Sequence, residues 1–549
     1  MKTTPRHLLI LGGATATLLL TNAAPPAIAN RAALPAQLVQ RYVPRAPKVL
    51  PRLSWSTFLK DAHRVSQLKK AIAYMKSLNG SPKGSANYRR SWEYWANIHG
   101  YYGYAKDGTT PGTDGTVEQA IAGYPITGDA LKYYDGTIGP KITDQTAPDD
   151  LAMLIWATCQ HSDPGPPLAQ ANFFAWHRMY LYYFEQVLQW AAGRPGPPDM
   201  TLRLPYWDYI NPASLALPAP YQSTVPFVEV KRAPGMNTGT KTLKKTSTNV
   251  NTLLTNTVFL GSSGFEFNIE YGIHGYVHCT VGLTCPAAYM GDVPVAANDP
   301  VFYSHHAEID RIWACWQKLH GLAGPPEQTF TFVDASGNEV TKKVSEVLDT
   351  KKLGYTYEST DCTQPGTTLL KMPTANVALL AAHPPVVGSV RAVPITNAVT
   401  TINIPVQNTP HLLGTFKHLD TAQTFVLTLR DVTASAPPGV LFDVYVAKTS
   451  DPAQRQQVGT ISWFGAFGHH GMYHPARQTL TYDVTAALRA LGVSSLGDKG
   501  ATVVVEAATG RAGAGVANAE RTAAAGAFQA ASARANVQIG AVELHSSRP

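Results

Sequence analysis

The sequence predicts an α-helical core followed by an all-β C-terminal domain. Three observations lead there. Apolar and aromatic residues recur at helical spacing in "NFFAWHRMYLYYFEQVLQWAAG" and in "DPVFYSHHAEIDRIWACWQKLHG". From about residue 406, strand-like runs recur between turn residues: "TFVLTLRDVTA", "GVLFDVYVAKT", "QVGTISWFGAF", "QTLTYDVTAAL", "ATVVVEAAT" and "NVQIGAVELH". Between the two regions, around 366–405, the composition turns to Thr, Val, Pro and Ala with few aromatics, which reads as a linker.

In chain order, "MKTTPRHLLILGGATATLLLTNAAPPAIAN" comes first. It sets Lys2 and Arg6 ahead of an apolar run and ends on Ala27-Ile28-Ala29. This is the pattern of a secretory signal peptide over residues 1–29, and it predicts a secreted or periplasmic protein. The run is short and is interrupted by Gly, Thr and Asn, which disfavours a membrane anchor. The helical region then covers 30–365. Within it "WSTFLKDAHRVSQLKKAIAYMKSLNG" predicts a helix ended by Gly80. The aromatic stretch around Trp176 stops at Gly193, and the one that opens on Asp299-Pro300 stops at Gly321. After the linker, 406–549 predicts a β-sandwich or barrel. No second apolar run is long enough to span a bilayer, and no repeat is visible.

A chain of 549 residues suggests two or more domains, and 44% apolar with 15% charged residues is a folded composition. The formal charge of +8 is dispersed, so the sequence carries no nucleic-acid footprint. Five cysteines, Cys159, Cys279, Cys285, Cys315 and Cys362, argue against a disulfide framework, although Cys279 and Cys285 are close enough to pair. At least one thiol then has another fate.

The histidines carry the chemistry. Of seventeen, seven fall in two dense regions: His99, His161 and His177, then His274, His278, His305 and His306. His274 and His278 are four apart, so on a helix both rings project from one face and can share a metal. An isolated pair of this kind also suits two core histidines. Here another helix-borne imidazole follows within thirty residues, which makes a three-nitrogen site. His99, His161 and His177 are individually weak candidates and together make a second such site. All-imidazole ligation suits copper, zinc, iron or nickel, and two such sites without thiolate fit a coupled copper pair best.

The stretches "FFAWHRMYLYYFE" and "DPVFYSHHAEIDRIW" resemble the two copper signatures of the type-3 copper proteins: tyrosinases, catechol oxidases and haemocyanins. "KLGYTYE" resembles the tyrosine motif that closes their catalytic domain. "FDVYV" followed by "GTISWFGAF" resembles the C-terminal β-domain of plant-type polyphenol oxidases. The whole resembles a bacterial long-form tyrosinase. The resemblance implies a four-helix bundle around two copper ions, with His99, His161 and His177 on the first metal and His274, His278 and His306 on the second. His305 and Asp310, four residues beyond His306, are then supporting residues behind the ligands. One spacing departs from the pattern. His161 and His177 are sixteen apart where the family usually has about nine residues between them, and "SDPGPPLAQA" reads as a loop insertion. Cys159-Gln160-His161 resembles the C-x-H motif in which some relatives join cysteine sulfur to the ligand ring by a thioether.

The resemblance further implies a secreted oxidase that takes small phenols and dioxygen. It ortho-hydroxylates monophenols and oxidises o-diphenols to o-quinones. The alternatives are a catechol oxidase, an aminophenol oxidase and, remotely, a haemocyanin-like oxygen carrier. Glu270, four residues before His274, matches the family's water-holding glutamate, with Glu266 as its competitor. Gly275 and Cys279, each following a ligand, and Val293, at the plant gate position, are expected to line the substrate pocket. The C-terminal domain is expected to cover the pocket with one apolar side chain from "WFGAFGHHGMYH", with Phe467 and Tyr473 as candidates. His469, His470 and His474 in that segment are expected to be loop residues.

Overall fold

The computed structural model describes residues 49–99, 151–152, 155, 173–261, 264–285, 289–364, 386–405, 424–466, 477–493, 501–513 and 518–546. The signal-peptide stretch, Cys159, His161, Phe467, Tyr473 and the three loop histidines lie outside them.

Five helical segments build the region around the histidines, and local residues fix the ends of three of them. Helix α1 (Ala62–Ser77) starts where the Asp61 carboxylate accepts the amides of His63 and Arg64, and Gly80 follows its end with φ 76°. Helix α2 (Trp92–Asn97) is capped by the Ser91 hydroxyl, which accepts the Tyr94 amide at 3.1 Å. Helix α3 (Phe173–Gly193) is apolar nearly all round, and the core surrounds it accordingly. Next, α4 (Phe265–Ile269) runs through a π-helical turn, Glu270–His274, into α5 (Gly275–Val281). Helix α6 (Val301–His320) starts at Pro300, with the Asp299 carboxylate accepting the Val301 amide at 3.0 Å. It is closed by Gly321 at φ 90°.

Asp310 of α6 ties this assembly together. Its carboxylate accepts from Arg178 of α3, from Arg52 at 3.3 Å, and from the hydroxyls of Tyr355 at 2.6 Å and Tyr357. Arg52 lies on β1 (Leu50–Arg52), which pairs in parallel with β4 (Tyr355–Tyr357). Arg52 also donates to Glu185 of α3 at 3.0 Å. Burial pushes the Asp310 carboxyl up, but Arg178, Arg52 and the Tyr355 and Tyr357 hydroxyls together offset this and hold it below the usual range. The sequence reading placed Asp310 behind His306. Instead its bonds run to two guanidiniums and two phenols, and it locks α3, α6, β1 and β4 together.

A small hairpin, β2 (Thr329–Val333) with β3 (Glu339–Lys343), precedes the C-terminal region. That region holds two four-stranded antiparallel sheets. One has the order β10-β7-β12-β5 and the other β6-β11-β8-β9. The strands are β5 (Val386–Ile395), β6 (Val399–Ile404), β7 (Phe425–Thr433), β8 (Leu441–Lys448), β9 (Asp451–Ile461), β10 (Gln478–Asp483), β11 (Ala501–Ala508) and β12 (Val537–Ser546).

Four expectations need correction. The stretch read as a linker supplies β5 and β6. Both are edge strands among the described residues, and Pro394 is tolerated there because one side of its strand has no partner among them. The C-terminal region is not all-β: α7 (Thr485–Ala490) and α8 (Ala519–Ala535) belong to it, the latter built on an alanine-rich run of high helix propensity. Four of the five cysteines form disulfides, Cys279–Cys285 and Cys315–Cys362; the second closes a separation of 47 residues that sequence spacing does not reveal. The helical core is also larger than a four-helix bundle. One continuous apolar core runs through helices and sheets alike, from Trp55 to Leu544.

Candidate metal centre

His99 follows α2, His177 sits on α3, His274 and His278 flank the junction of the π-helical turn and α5, and His305 and His306 lie on α6. All six are buried. Four of them share one arrangement. The Nδ1–H of His99 donates to Val293 O at 3.0 Å, that of His177 to Phe173 O at 2.7 Å, that of His274 to Glu270 O at 3.0 Å, and that of His278 to Met290 O at 2.7 Å. A carbonyl only accepts, so each bond fixes the proton on Nδ1 and leaves the lone pair on Nε2. The backbone thus presets four imidazoles as ligands.

The rings converge in two groups. Ligating atoms of His274, His278, His305 and His306 all lie within 4.8 Å of one another, and so do those of His99, His177 and His306. His306 is the hinge between them. Its ring stacks on His177 at 4.4 Å between centroids, and its Nε2 lies 3.4 Å from His278 Nε2. Burial drives the imidazoles of His305 and His306 well below their usual pKa, and the neighbouring rings add to this. Neutral, buried nitrogen donors facing one another fit a soft-to-borderline cation such as copper.

His305 is closer to the centre than the sequence reading placed it. Its ring is stacked on His274 at 5.3 Å and lies 4.7 Å from His278. Its Nδ1 bonds the Tyr209 hydroxyl at 2.9 Å, and its buried Nε2 meets no protein partner among the described residues. Tyr209 itself escaped the sequence reading, for it lies 96 positions from His305 and carries no motif.

The remaining expected residues fall as follows. Glu270 is buried in the π-helical turn, and its carbonyl oxygen orients His274. Val293 is buried, and its carbonyl oxygen orients His99. Cys279 is fully buried and bonded to Cys285, so it offers no thiol to a pocket. Gly275 faces the C-terminal region: a Cβ there would sit 2.6 Å from Ser462 Oγ and 3.5 Å from Phe464 Cβ. Ser462 Oγ donates to Tyr271 O at 3.0 Å, and the Phe464 ring lies flat on His278 at 3.8 Å with an interplanar angle of 10°. The same ring meets His274 edge-on at 5.3 Å. An aromatic side chain leaving the end of β9 therefore covers the second histidine group. The first residues after a strand that runs "GTISWFG" were the available signal.

Glu266, the competitor to Glu270, is buried, and Oε1 accepts the Phe174 amide at 3.2 Å. Burial pushes its carboxyl well above the ordinary range, and the charge of Glu270 adds to the shift. The folded state thus holds a proton that the unfolded chain releases above pH about 4.5, so this group lowers stability as pH rises. Glu266→Gln is expected to remove that slope, up to about 1.4 kcal/mol per pH unit for one proton. Denaturant midpoints from pH 5 to 8 check this, and parallel profiles for both chains would contradict it.

Comparison with known proteins agrees with the geometry. Residues 89–257 and 228–319 match the common central domain of tyrosinase, and 327–364 match the polyphenol oxidase middle domain. The chain is 29% identical to tyrosinase HcTyr1 of Hahella sp. (strain CCB-MM4) over 329 residues, 54% of this chain and 61% of that protein. It is 30% identical to chloroplastic polyphenol oxidase II of Ipomoea batatas over 231 residues, 34% of this chain and 38% of that protein. The chain therefore spans less than two thirds of these relatives. A solved latent aurone synthase (polyphenol oxidase), co-crystallised with hexatungstotellurate(VI), shares the fold with TM-score 0.51 and 17% identity, over 92% of this chain and 90% of the other. The paired imidazole clusters thus lie inside a stretch that matches the common central domain of tyrosinase and is followed by a match to the polyphenol oxidase middle domain.

Proposed function

We propose that this protein is a secreted dicopper phenol oxidase of the tyrosinase type, kept latent by its own C-terminal region. The observation that carries the reading is the pair of buried imidazole groups meeting at His306, with Phe464 laid over one of them. His99, His161 and His177 hold the first metal in this reading, and His274, His278 and His306 the second. His161 is supported by the Cys159-Gln160-His161 pattern, with the cysteine linked to its ring. A bound copper pair supplies the two-electron chemistry with dioxygen that phenol oxidation needs.

The chain supplies the rest. Carbonyl oxygens hold the ligand rings in one tautomer, which removes a reorganisation cost when metal binds. Glu270, one turn before His274, takes the proton of an incoming phenol. Val293, small at the gate position, admits varied phenols. Phe464 excludes water and substrate from His278 until the C-terminal region moves. The exported location rests on residues 1–29. Among the described residues, no helix is long and apolar enough to cross a membrane. A catechol oxidase is the second reading, and Gly275 favours it, because glycine gives an incoming monophenol no side chain to hold.

Phe464→Ala tests the latency. Losing a stacked aromatic contact and its burial takes roughly 1.5–3 kcal/mol from the closed form. This enlarges the open population by roughly tenfold or more. Initial rates of catechol oxidation by intact, copper-loaded chains should rise accordingly. An unchanged rate at equal copper content would sink the latency proposal.

A further inference from the structure

Where residues 241–247 of the helical region meet the C-terminal sheets, a cleft of about 280 Å³ opens, away from the histidines. Its charged lining is unequal: Lys244, Arg511 and Arg521 against Asp443 and Glu520. Both carboxylates are already engaged. Asp443 pairs with Lys244 and accepts the Thr460 hydroxyl at 2.9 Å. Glu520 accepts from the Thr509 hydroxyl at 2.6 Å and faces Lys241 at 3.2 Å and Arg511 Nη2 at 3.5 Å.

The two arginines are less well served than Lys244. The Arg511 side chain is 6% exposed, and its Nη1 donates to Pro234 O at 3.3 Å. Its buried Nε–H meets no acceptor among the described residues. A buried guanidinium with an unused donor is costly and marks a place for an acceptor. Burial lowers the Arg511 pKa and Glu520 restores it only in part, so the existing partner does not fully compensate the charge. Arg521 is 54% exposed on its side chain and reaches Glu506 only at 3.8 Å, while Glu506 is already paired with Arg455. Both Glu520 and Arg521 lie in the first turn of α8, whose amides have no acceptor within the helix and whose Asn518 cap makes no side-chain bond.

We infer that this cleft binds a small multivalent oxyanion of the phosphate class, held by Lys244 from the helical region and by Arg511 and Arg521 from the C-terminal region. An anion shared by both regions favours the docked arrangement by mass action. It therefore clamps the cover, and neither copper nor turnover is needed for it to bind.

The test is calorimetric titration of the full chain with inorganic phosphate, against sodium chloride at matched ionic strength. One saturable phosphate per chain is expected, with a thermal midpoint that rises with phosphate and not with chloride. Arg521→Gln, at a half-exposed side chain, should weaken phosphate binding about tenfold, the loss of one charge-assisted contact. Arg511→Gln should do at least as much. Displacement of phosphate by glycerol phosphate assigns the site to phosphomonoesters, and failure to displace it assigns the site to the free ion. No saturable phosphate binding, or equal affinity in the Arg521→Gln chain, would overturn the inference. Because binding is read without copper or substrate, its failure is separable from failure of the oxidase reading.

Discussion

His274→Ala is expected to cost the protein bound copper and to abolish phenol-dependent oxygen uptake, while the fold survives. His274 is fully buried, with its ring 4.6 Å from that of His278 and 5.1 Å from that of His306. Its Nδ1–H is already held by Glu270 O, so the ring's remaining chemistry lies at Nε2. Losing a direct donor exceeds the roughly 10–100-fold losses that follow removal of a ligand's outer partner. Metal analysis together with an oxygen electrode reads both effects. Two coppers per chain and normal uptake would remove His274 from the ligand set.

Asp310→Asn is expected to produce the largest loss of stability, about 3–5 kcal/mol, because it leaves Arg52 and Arg178 buried without their shared anion. Tyr355 and Tyr357 lose their charged acceptor in the same step. The pH dependence follows from the depressed carboxyl. Its contribution is present in full above the unfolded value, near pH 4, and is lost as pH falls through the lower folded value. Wild type should therefore lose stability in acid more steeply than Asp310→Asn. Denaturant unfolding at pH 7 and at pH 3 measures both. A loss below 1 kcal/mol at pH 7 would show the network to be dispensable.

Much of the site was legible because it is local in sequence. The i, i+4 pair of His274 and His278 and the adjacent His305 and His306 sit on helices whose caps and stops are written nearby, at Asp299, Pro300 and Gly321. What was missed depends on contacts between distant segments. Asp310 looked like a supporter of His306 because the two are one turn apart. Its actual partners, Arg52 and Tyr357, come from strands that only tertiary structure brings together. The resemblance places His306 on the metal and His305 behind it, yet Tyr209 and the stacked His274 hold His305 beside the centre. The covering aromatic is expected within "WFGAFGHHGMYH", with Phe467 and Tyr473 as candidates that lie outside the described residues; the ring over His278 is Phe464, in the same segment and three residues beyond the end of β9. Edge strands β5 and β6 were hidden by the same Pro and Thr content that suits an edge.

The most direct measurement is dioxygen uptake by the copper-loaded full chain, wild type and Phe464→Ala, on a monophenol and on its matching catechol. The expected result is uptake on both substrates, with a lag on the monophenol and faster rates in the Phe464→Ala chain. Uptake on the catechol alone would make this a catechol oxidase and implicate Gly275. Two bound coppers without uptake on either substrate, in either chain, would contradict a phenol oxidase.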